Sequence, residues 1–333
     1  MAAPGVVLAV HGTPGGSRGK HGGQACQGGF VTGFKIPPKF LDRAADLGPG
    51  AAEWLDSLPF LAEKYTAKWQ LQYDGEAMHG FVGVAQPVRR ADGSPAILKL
   101  GWPHEESDDE PLALSTWAGQ GAVLLYDNVP EDGVLLLERL DATRSLETEP
   151  IQMAVETVGA IARRLAVPAP EALQRSLREE AAELVTELPE TWSELGEPFD
   201  RKYLDAAVEI CADLGPTAGE LMVNEDLHFE NVLAGEREPW LVIDPKPLSG
   251  DLEFGAISIL WNRADESTMD DKIRWFSEAA GVDAERARAW TLVRAVENWT
   301  WLYEDLAEGA SPESIAEDPA YAAVPAIAAW ALR

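Results

Sequence analysis

Hydrophobic and polar positions follow two rhythms along this chain, and the rhythm changes near residue 140. Residues 34–66 carry the three-to-four spacing of helices, broken at Pro49-Gly50 and resuming over Ala51–Leu58. From Trp69 the period shortens. Trp69–Tyr73, Phe81–Ala85, Ala96–Leu100, Ala122–Tyr126 and Val134–Glu138 read as strands, with turn signals at Asp74-Gly75, Asp92-Gly93 and Pro130–Gly133. A helix over Glu110–Trp117 interrupts them after the third strand. Beyond Asp141 the helical spacing returns over Pro150–Leu165, Pro170–Leu188, Pro198–Leu214 and, most apolar of all, Trp290–Leu306. Two short apolar segments, Asn231–Ala234 and Trp240–Asp244, fall between these helices. The pattern predicts an α+β chain: a small, mostly antiparallel β-rich lobe over 34–139, then a larger helical lobe over 140–333.

Residues 1–33 stand apart, with ten glycines and no acidic side chain. Glycine at that density loses too much entropy on ordering, so the segment reads as a disordered tail. The whole chain has 333 residues, enough for two lobes and a sizeable core. It carries 27 Lys+Arg against 56 Asp+Glu, a net charge of −29. Such a surface repels nucleic acid and anionic membranes, and favours solubility and cationic small molecules. Cys26 and Cys211 have neither disulfide-framework nor metal-ligand spacing, which points to a reducing, cytoplasmic setting. No apolar run reaches the ~20 residues of a spanning helix. The oligomeric state is not legible.

The richest stretch is Val223-Asn-Glu-Asp-Leu-His-Phe-Glu-Asn-Val-Leu233, followed by Trp240-Leu-Val-Ile-Asp-Pro245. Phosphoryl transfer needs a carboxylate to orient the attacking hydroxyl, an amide oxygen for one Mg²⁺, and a second carboxylate to bridge metal and phosphates. Asp226, Asn231 and Asp244 supply these in the order D-L-x-x-x-N, then a strand-terminal Asp. A turn-capping role for all three would require the whole constellation to coincide. Lys99 lies in the apolar strand Ala-Ile-Leu-Lys-Leu, where it either faces water or meets an anion. Glu110 is the nearest helix carboxylate downstream, in competition with Glu105, Glu106, Asp108 and Asp109. Gly75, Gly80 and Gly83 precede the lysine strand, and only Gly80-x-x-Gly83 fits half of a phosphate-covering glycine motif. His228 reads as a packed loop histidine rather than an acid or base. Trp290, Arg294, Glu297, Asn298 and Trp301 share one helical face, and some of them are candidates to line a pocket.

These residues resemble the aminoglycoside phosphotransferase family of the protein-kinase-like fold, in its streptomycin 6-phosphotransferase and hydroxyurea phosphotransferase branch. Pro87–Gly93, Leu98–His104, Leu135–Leu140, Glu236–Pro247 and Leu260–Arg263 carry the likeness, which runs from about residue 36 to the C-terminus. The Asp-Pro-Lys-Pro and Leu-Trp-Asn-Arg pieces mark the branch. The family usually writes His-Gly-Asp-Leu-His where this chain has Asn224-Glu225-Asp226-Leu227-His228. Glu225 therefore sets an extra carboxylate beside the base, either raising its pKa or facing solvent. The resemblance implies a two-lobed enzyme using ATP or GTP with Mg²⁺ to phosphorylate a hydroxyl of a small cationic molecule such as streptomycin. Hydroxyurea, another metabolite, or a catalytically silent nucleotide-binding role are the alternatives. It implies Asp226 as base, Asn231 and Asp244 as metal ligands, and Lys99 and Glu110 as the phosphate-binding pair; Gly80 and Gly83 either cover the phosphates or form a plain turn with a small residue in a strand. Glu138 to Leu140 would form the hinge beside the purine, and the acceptor would lie against the helical lobe, near Glu297 and Asn298.

Overall fold

The computed structural model describes residues 33–43, 47, 48, 50–103, 108–311 and 318–333. Except for Gly33, the glycine-rich tail lies outside the described residues, as do Glu105 and Glu106.

Helices α1 (Pro38–Arg43) and α2 (Ala51–Lys68) lead into a six-stranded antiparallel sheet. Its strands are β1 (Gln72–Tyr73), β2 (Met78–His79), β3 (Gly83–Arg89), β4 (Pro95–Gly101), β5 (Leu125–Val129) and β6 (Val134–Glu138). They run β1-β3-β4-β6-β5, with β2 also paired to β3. Helix α3 (Glu110–Trp117) is inserted after β4. Burial in β4 alternates with the pleat: Ala96, Leu98 and Leu100 are buried, and Ile97 and Lys99 point to the other face. The buried set packs with Trp54, Leu58, Leu61 and Tyr65 of α2, a 3.6-period stripe. The period of the strand thereby sends Lys99 away from this core.

The remaining elements are β7 (Asp141–Ser145), α4 (Ile151–Leu165), β8 (Val167–Pro168), α5 (Leu177–Glu194), α6 (Arg201–Leu214), β9 (Leu221–Asn224), β10 (Val232–Ala234), β11 (Trp240–Val242), β12 (Pro247–Gly250), α7 (Ser258–Trp261), α8 (Met269–Ala280), α9 (Ala284–Glu308) and α10 (Pro319–Ala331). Most of the helices share one large core around Trp290, Val293 and Val296 of α9. Two three-stranded sheets, β11-β10-β7 and β12-β9-β8, sit on it. Val232 pairs Val242, and Pro247 pairs Asn224. These registers clamp the loop 225–231 against the loop 243–246.

Several sequence expectations shift. Ala122 and Val123 do not join β5; Ala122 bridges Val242 and Val123 N–H donates to Val242 O at 2.9 Å, so the apolar pair serves the other lobe's sheet. Asp141–Ser145, expected to begin the helical region, forms an edge strand against β10. Helix α5 starts at Leu177 rather than Pro170, because Arg175 O accepts from Ser249 N–H and Ser176 bridges Ser249. Strand β3 extends to Arg89 through Pro87, and β2 makes the sheet six-stranded instead of five.

Candidate active site

A cleft of about 940 Å³, including its open mouth, runs between the first sheet and the strands β10 and β11. One end is apolar: Met78, Ile97, Leu137, Leu140, Leu233 and Ile243 line it. Lys99 and Asp244 line the cleft as well, as do Gly80 and Gly83 of the β2–β3 hairpin. Gly80 N–H donates to Gly83 O at 2.8 Å. A Cβ on Gly83 would come within 2.9 Å of Leu100 O, so the missing side chain here first serves close strand pairing.

At the charged end Lys99 Nζ lies 2.6 Å from Glu110 Oε2 and 2.6 Å from Asp244 Oδ1. Of the competing carboxylates, Asp109 instead accepts from Gln174 N–H at 2.9 Å. Burial pushes the Glu110 carboxyl up to about 7 even though Lys99 opposes it. Burial acts on Lys99 and Asp244 too, but their mutual attraction outweighs it: the ammonium is raised and the Asp244 carboxyl lowered. Asp244 has φ 52°, a left-handed conformation uncommon for a residue with a side chain. It lies two residues beyond β11 and aims across the cleft at a lysine 145 positions earlier.

Asp226 opens the other half of the site. Its Oδ1 is 2.6 Å from His228 Nε2, and its Oδ2 is 3.9 Å from Lys246 Nζ. Burial would raise its carboxyl, yet His228 and Lys246 hold it at about 2. His228 is buried, and the charge of Asp226 overcomes that burial and raises its pKa. Asn231 Nδ2 donates to the Asp226 carbonyl at 3.4 Å, which leaves the amide oxygen as its acceptor atom. Asn224 staples the loop: its Oδ1 accepts from Asp226 N–H at 3.2 Å and Lys246 N–H at 2.9 Å. An Asn two residues before Asp226 is an Asx-turn signal that sequence reading passed over.

Glu225 does neither thing expected of it. It is 3% exposed and turned into the helical lobe, where Arg175 Nη1 binds Oε1 and Arg294 Nη1 stands 3.4 Å from Oε2. Against burial, these guanidiniums hold its carboxyl below the usual range. Arg175 also meets Glu180 at 2.9 Å, and Arg294 meets Glu297 at 2.8 Å. Gly255 fits beneath because a Cβ there would lie 3.1 Å from Glu225 Cα. Glu297 thus belongs to a buried charge network, and Asn298 Nδ2 donates at 2.7 Å to Arg294 O of its own helix. Trp290 Nε1 donates to Asp251 Oδ2 at 2.8 Å.

Leu140 lines the cleft, and Glu138 N–H donates to Leu124 O at 2.8 Å. The Glu138 carboxylate accepts from Leu124 N–H at 3.1 Å and pairs with Arg237 at 2.9 Å, so it braces the strand end. Asn262, from the Leu-Trp-Asn-Arg piece, accepts from Phe229 N–H at 3.1 Å and supports the loop 225–231.

Comparison with known proteins places this geometry in context. Residues 68–306 match the family model described as aminoglycoside/hydroxyurea antibiotic resistance kinase. A hydroxyurea phosphotransferase from Kitasatospora aureofaciens is 43% identical over 284 residues, 84% of this chain and 83% of that protein. A streptomycin 6-kinase from Streptomyces glaucescens is 38% identical over 293 residues, 84% of this chain and 95% of that protein. A crystal structure of a choline kinase from Streptococcus pneumoniae superposes with a TM-score of 0.56 at 13% identity, covering 82% of this chain and 97% of that one. At that identity the likeness concerns the two-lobed fold.

Proposed function

Because the chain belongs to the aminoglycoside/hydroxyurea antibiotic resistance kinase family, we propose that it transfers the terminal phosphate of ATP or GTP to a hydroxyl of a streptomycin-like aminoglycoside. One observation carries the reading: a single cleft joins an apolar slot to a charged end where Lys99, Glu110 and Asp244 meet. That is the shape of a nucleoside triphosphate, with the base in the slot below Leu137 and Leu140 and the phosphates at Lys99.

The roles follow from the atoms. The hinge runs from Glu138 to Leu140, and the lobes divide at 139/140. Gly80 and Gly83 cover the phosphates, and Lys99, held by Glu110, pairs with them. Asn231 and Asp244 offer an amide oxygen and a carboxylate, the hard oxygen donors that suit Mg²⁺. Among the described residues no group of three acidic, histidine or cysteine side chains is placed to hold a metal ion, so phosphate and water oxygens would complete the shell. Bound there, Mg²⁺ would neutralise phosphate charge. Asp226 faces the acceptor. A carboxyl held at about 2 is a weak base, so it orients the hydroxyl first and takes the proton late, as the new O–P bond forms. The acceptor lies against the helical lobe. Of the two residues assigned to it, Glu297 keeps a partly exposed carboxylate (14%), whereas the Asn298 amide is committed to Arg294 O. The net charge of −29 suits a polycation.

Hydroxyurea is the second reading, favoured by the 43% identity to a hydroxyurea phosphotransferase. The deciding experiment incubates the protein with ATP or GTP, Mg²⁺ and each acceptor, with Asp226→Ala as control, and seeks the phosphorylated acceptor by mass spectrometry. Phosphorylated streptomycin is expected, with kcat down at least ~10²-fold in the variant. Near-wild-type turnover by Asp226→Ala would remove Asp226 from the mechanism. Phosphorylated hydroxyurea alone would replace the acceptor.

A further inference from the structure

Two lysines reach the site, and only Lys99 has so far been given a task. We propose that Lys246 is a catalytic residue of the transfer step, its ammonium contacting the phosphoryl group as that group passes from nucleotide to acceptor. The inference rests on the phosphotransferase reading above.

Lys99 is held on the nucleotide side by Glu110 and Asp244, each at 2.6 Å. Lys246 Nζ lies instead beside Asp226, 3.9 Å from Oδ2. Asp226 orients the attacking oxygen, and the phosphorus must come within bonding distance of that oxygen. A cation seated against this carboxylate is therefore at the transferring end. The tight neighbour of Asp226 is His228, at 2.6 Å, while charge-assisted N–H···O bonds run to about 2.9 Å.

The backbone of Lys246 is fixed to the catalytic loop. Its N–H donates to Asn224 Oδ1 at 2.9 Å, and its carbonyl accepts from Glu225 N–H at 3.1 Å. Pro245 and Pro247 flank it with restricted φ, and Pro247 pairs Asn224 as β12 begins. Its side chain is only 15% exposed. A cation held this way needs no reorganisation when charge develops.

In the step itself the acceptor oxygen forms a bond to the terminal phosphorus. The bond from that phosphorus to the bridging oxygen breaks, and its electron pair leaves on the nucleoside diphosphate. The acceptor proton passes to the Asp226 carboxylate. Negative charge is spread over the three non-bridging oxygens midway, so a cation placed there lowers the barrier more than it aids ground-state binding.

The test uses the full chain with the acceptor that the wild type phosphorylates, and compares Lys246→Met with Lys246→Arg. Lys246→Met is expected to lose about 10²–10³ in kcat, with nucleotide KM within about threefold and unchanged Tm. Lys246→Arg should recover part of the loss. A second readout measures nucleoside diphosphate binding with and without aluminium fluoride, a planar mimic of the transferring group. The methionine variant should bind the diphosphate normally and lose the tightening by fluoride. Unchanged kcat, or equal loss of Tm and of both ligands, would overturn the proposal. If the wild type phosphorylates nothing, the phosphotransferase reading fails, and the fluoride arm still decides this one: equal tightening in both proteins sinks it.

Discussion

Two clusters of buried charge flank the loop 225–231, and they are built from the same residue types for opposite ends. Facing the cleft, Lys99 joins Glu110 to Asp244, with the lysine 17% and Asp244 33% exposed. Facing the helical lobe, Arg175 and Arg294 hold Glu225, with Glu180 and Glu297 beyond them, and Glu225 is 3% exposed. On the proposed reading, phosphate oxygens would replace Asp244 at Lys99. Nothing comparable reaches Glu225, whose guanidinium partners close over it and of which Arg294 also stacks 4.9 Å over the Phe254 ring. Burial and charge alone therefore do not mark chemistry. What separates the clusters is whether a partner can be exchanged for substrate. Glu225 and Asp226 are consecutive in the chain, yet their carboxylates take different partners, Arg175 and Arg294 for the first, His228 and Lys246 for the second.

The sharpest way to break this comparison is Arg294→Met. It leaves three carboxylates, Glu180, Glu225 and Glu297, to a single guanidinium, Arg175. Uncompensated buried charge of this kind costs roughly 3–5 kcal/mol, to be read from denaturant unfolding. A loss below about 1 kcal/mol would mean that the lobe-facing cluster is as replaceable as the cleft-facing one. Lys99→Met should behave in the opposite way. A charge-assisted hydrogen bond contributes about 1.5–3 kcal/mol, so nucleotide affinity should fall about tenfold to a hundredfold by calorimetry, with a smaller loss of Tm than in Arg294→Met because Glu110, already pushed up to about 7, can take a proton when Lys99 is gone. A large Tm loss with normal nucleotide binding would make Lys99 a structural residue.

How far this division was legible in the sequence differs by element. Strand β6 and helix α3 were readable to the residue, because continuous apolar runs and a clear helical period bounded by turn signals leave little choice. The odd lysine in an apolar strand and the strand-terminal Asp244 stood out in the sequence because each is unusual where it stands, and both line the cleft, whereas Asp226 and Asn231 are not among its lining residues. Asp141–Ser145 and Leu221–Asn224 were not legible as strands. Both are short, and their pairing partners lie far along the chain, at β10 and β12. Glu225 was misread for a related reason. A loop carboxylate has no periodicity to give its direction, and the guanidiniums that turn it inward come from positions 175 and 294. Lys246 was visible only as part of a family-like tetrapeptide, since its nearness to Asp226 depends on the Pro247–Asn224 register.

The smallest expected effect probes the rim of the lobe-facing cluster. Burial, and then the charge of Glu225, push the Glu180 carboxyl up to about 7 from an ordinary 4.5, while Arg175 opposes them. Between those values the folded chain holds a proton that the unfolded chain has released. Stability from this group is therefore greatest below about pH 4.5 and declines as pH rises to about 7. Glu180→Gln, neutral throughout, removes that decline. Because the side chain is 25% exposed, the effect should be only about 1 kcal/mol, or ~2–4 °C in Tm. Burial likewise raises the carboxyls of Glu110 and Glu230 to about 7, so the absolute slope belongs to several groups. The informative quantity is the difference in Tm between pH 5 and pH 8, compared in wild type and variant. A smaller difference in Glu180→Gln places the excess carboxylate of the network at its rim. A variant that loses stability at pH 8 would show instead that the ion pair with Arg175 outweighs the repulsion from Glu225, and that all three carboxylates of the cluster are held as charges.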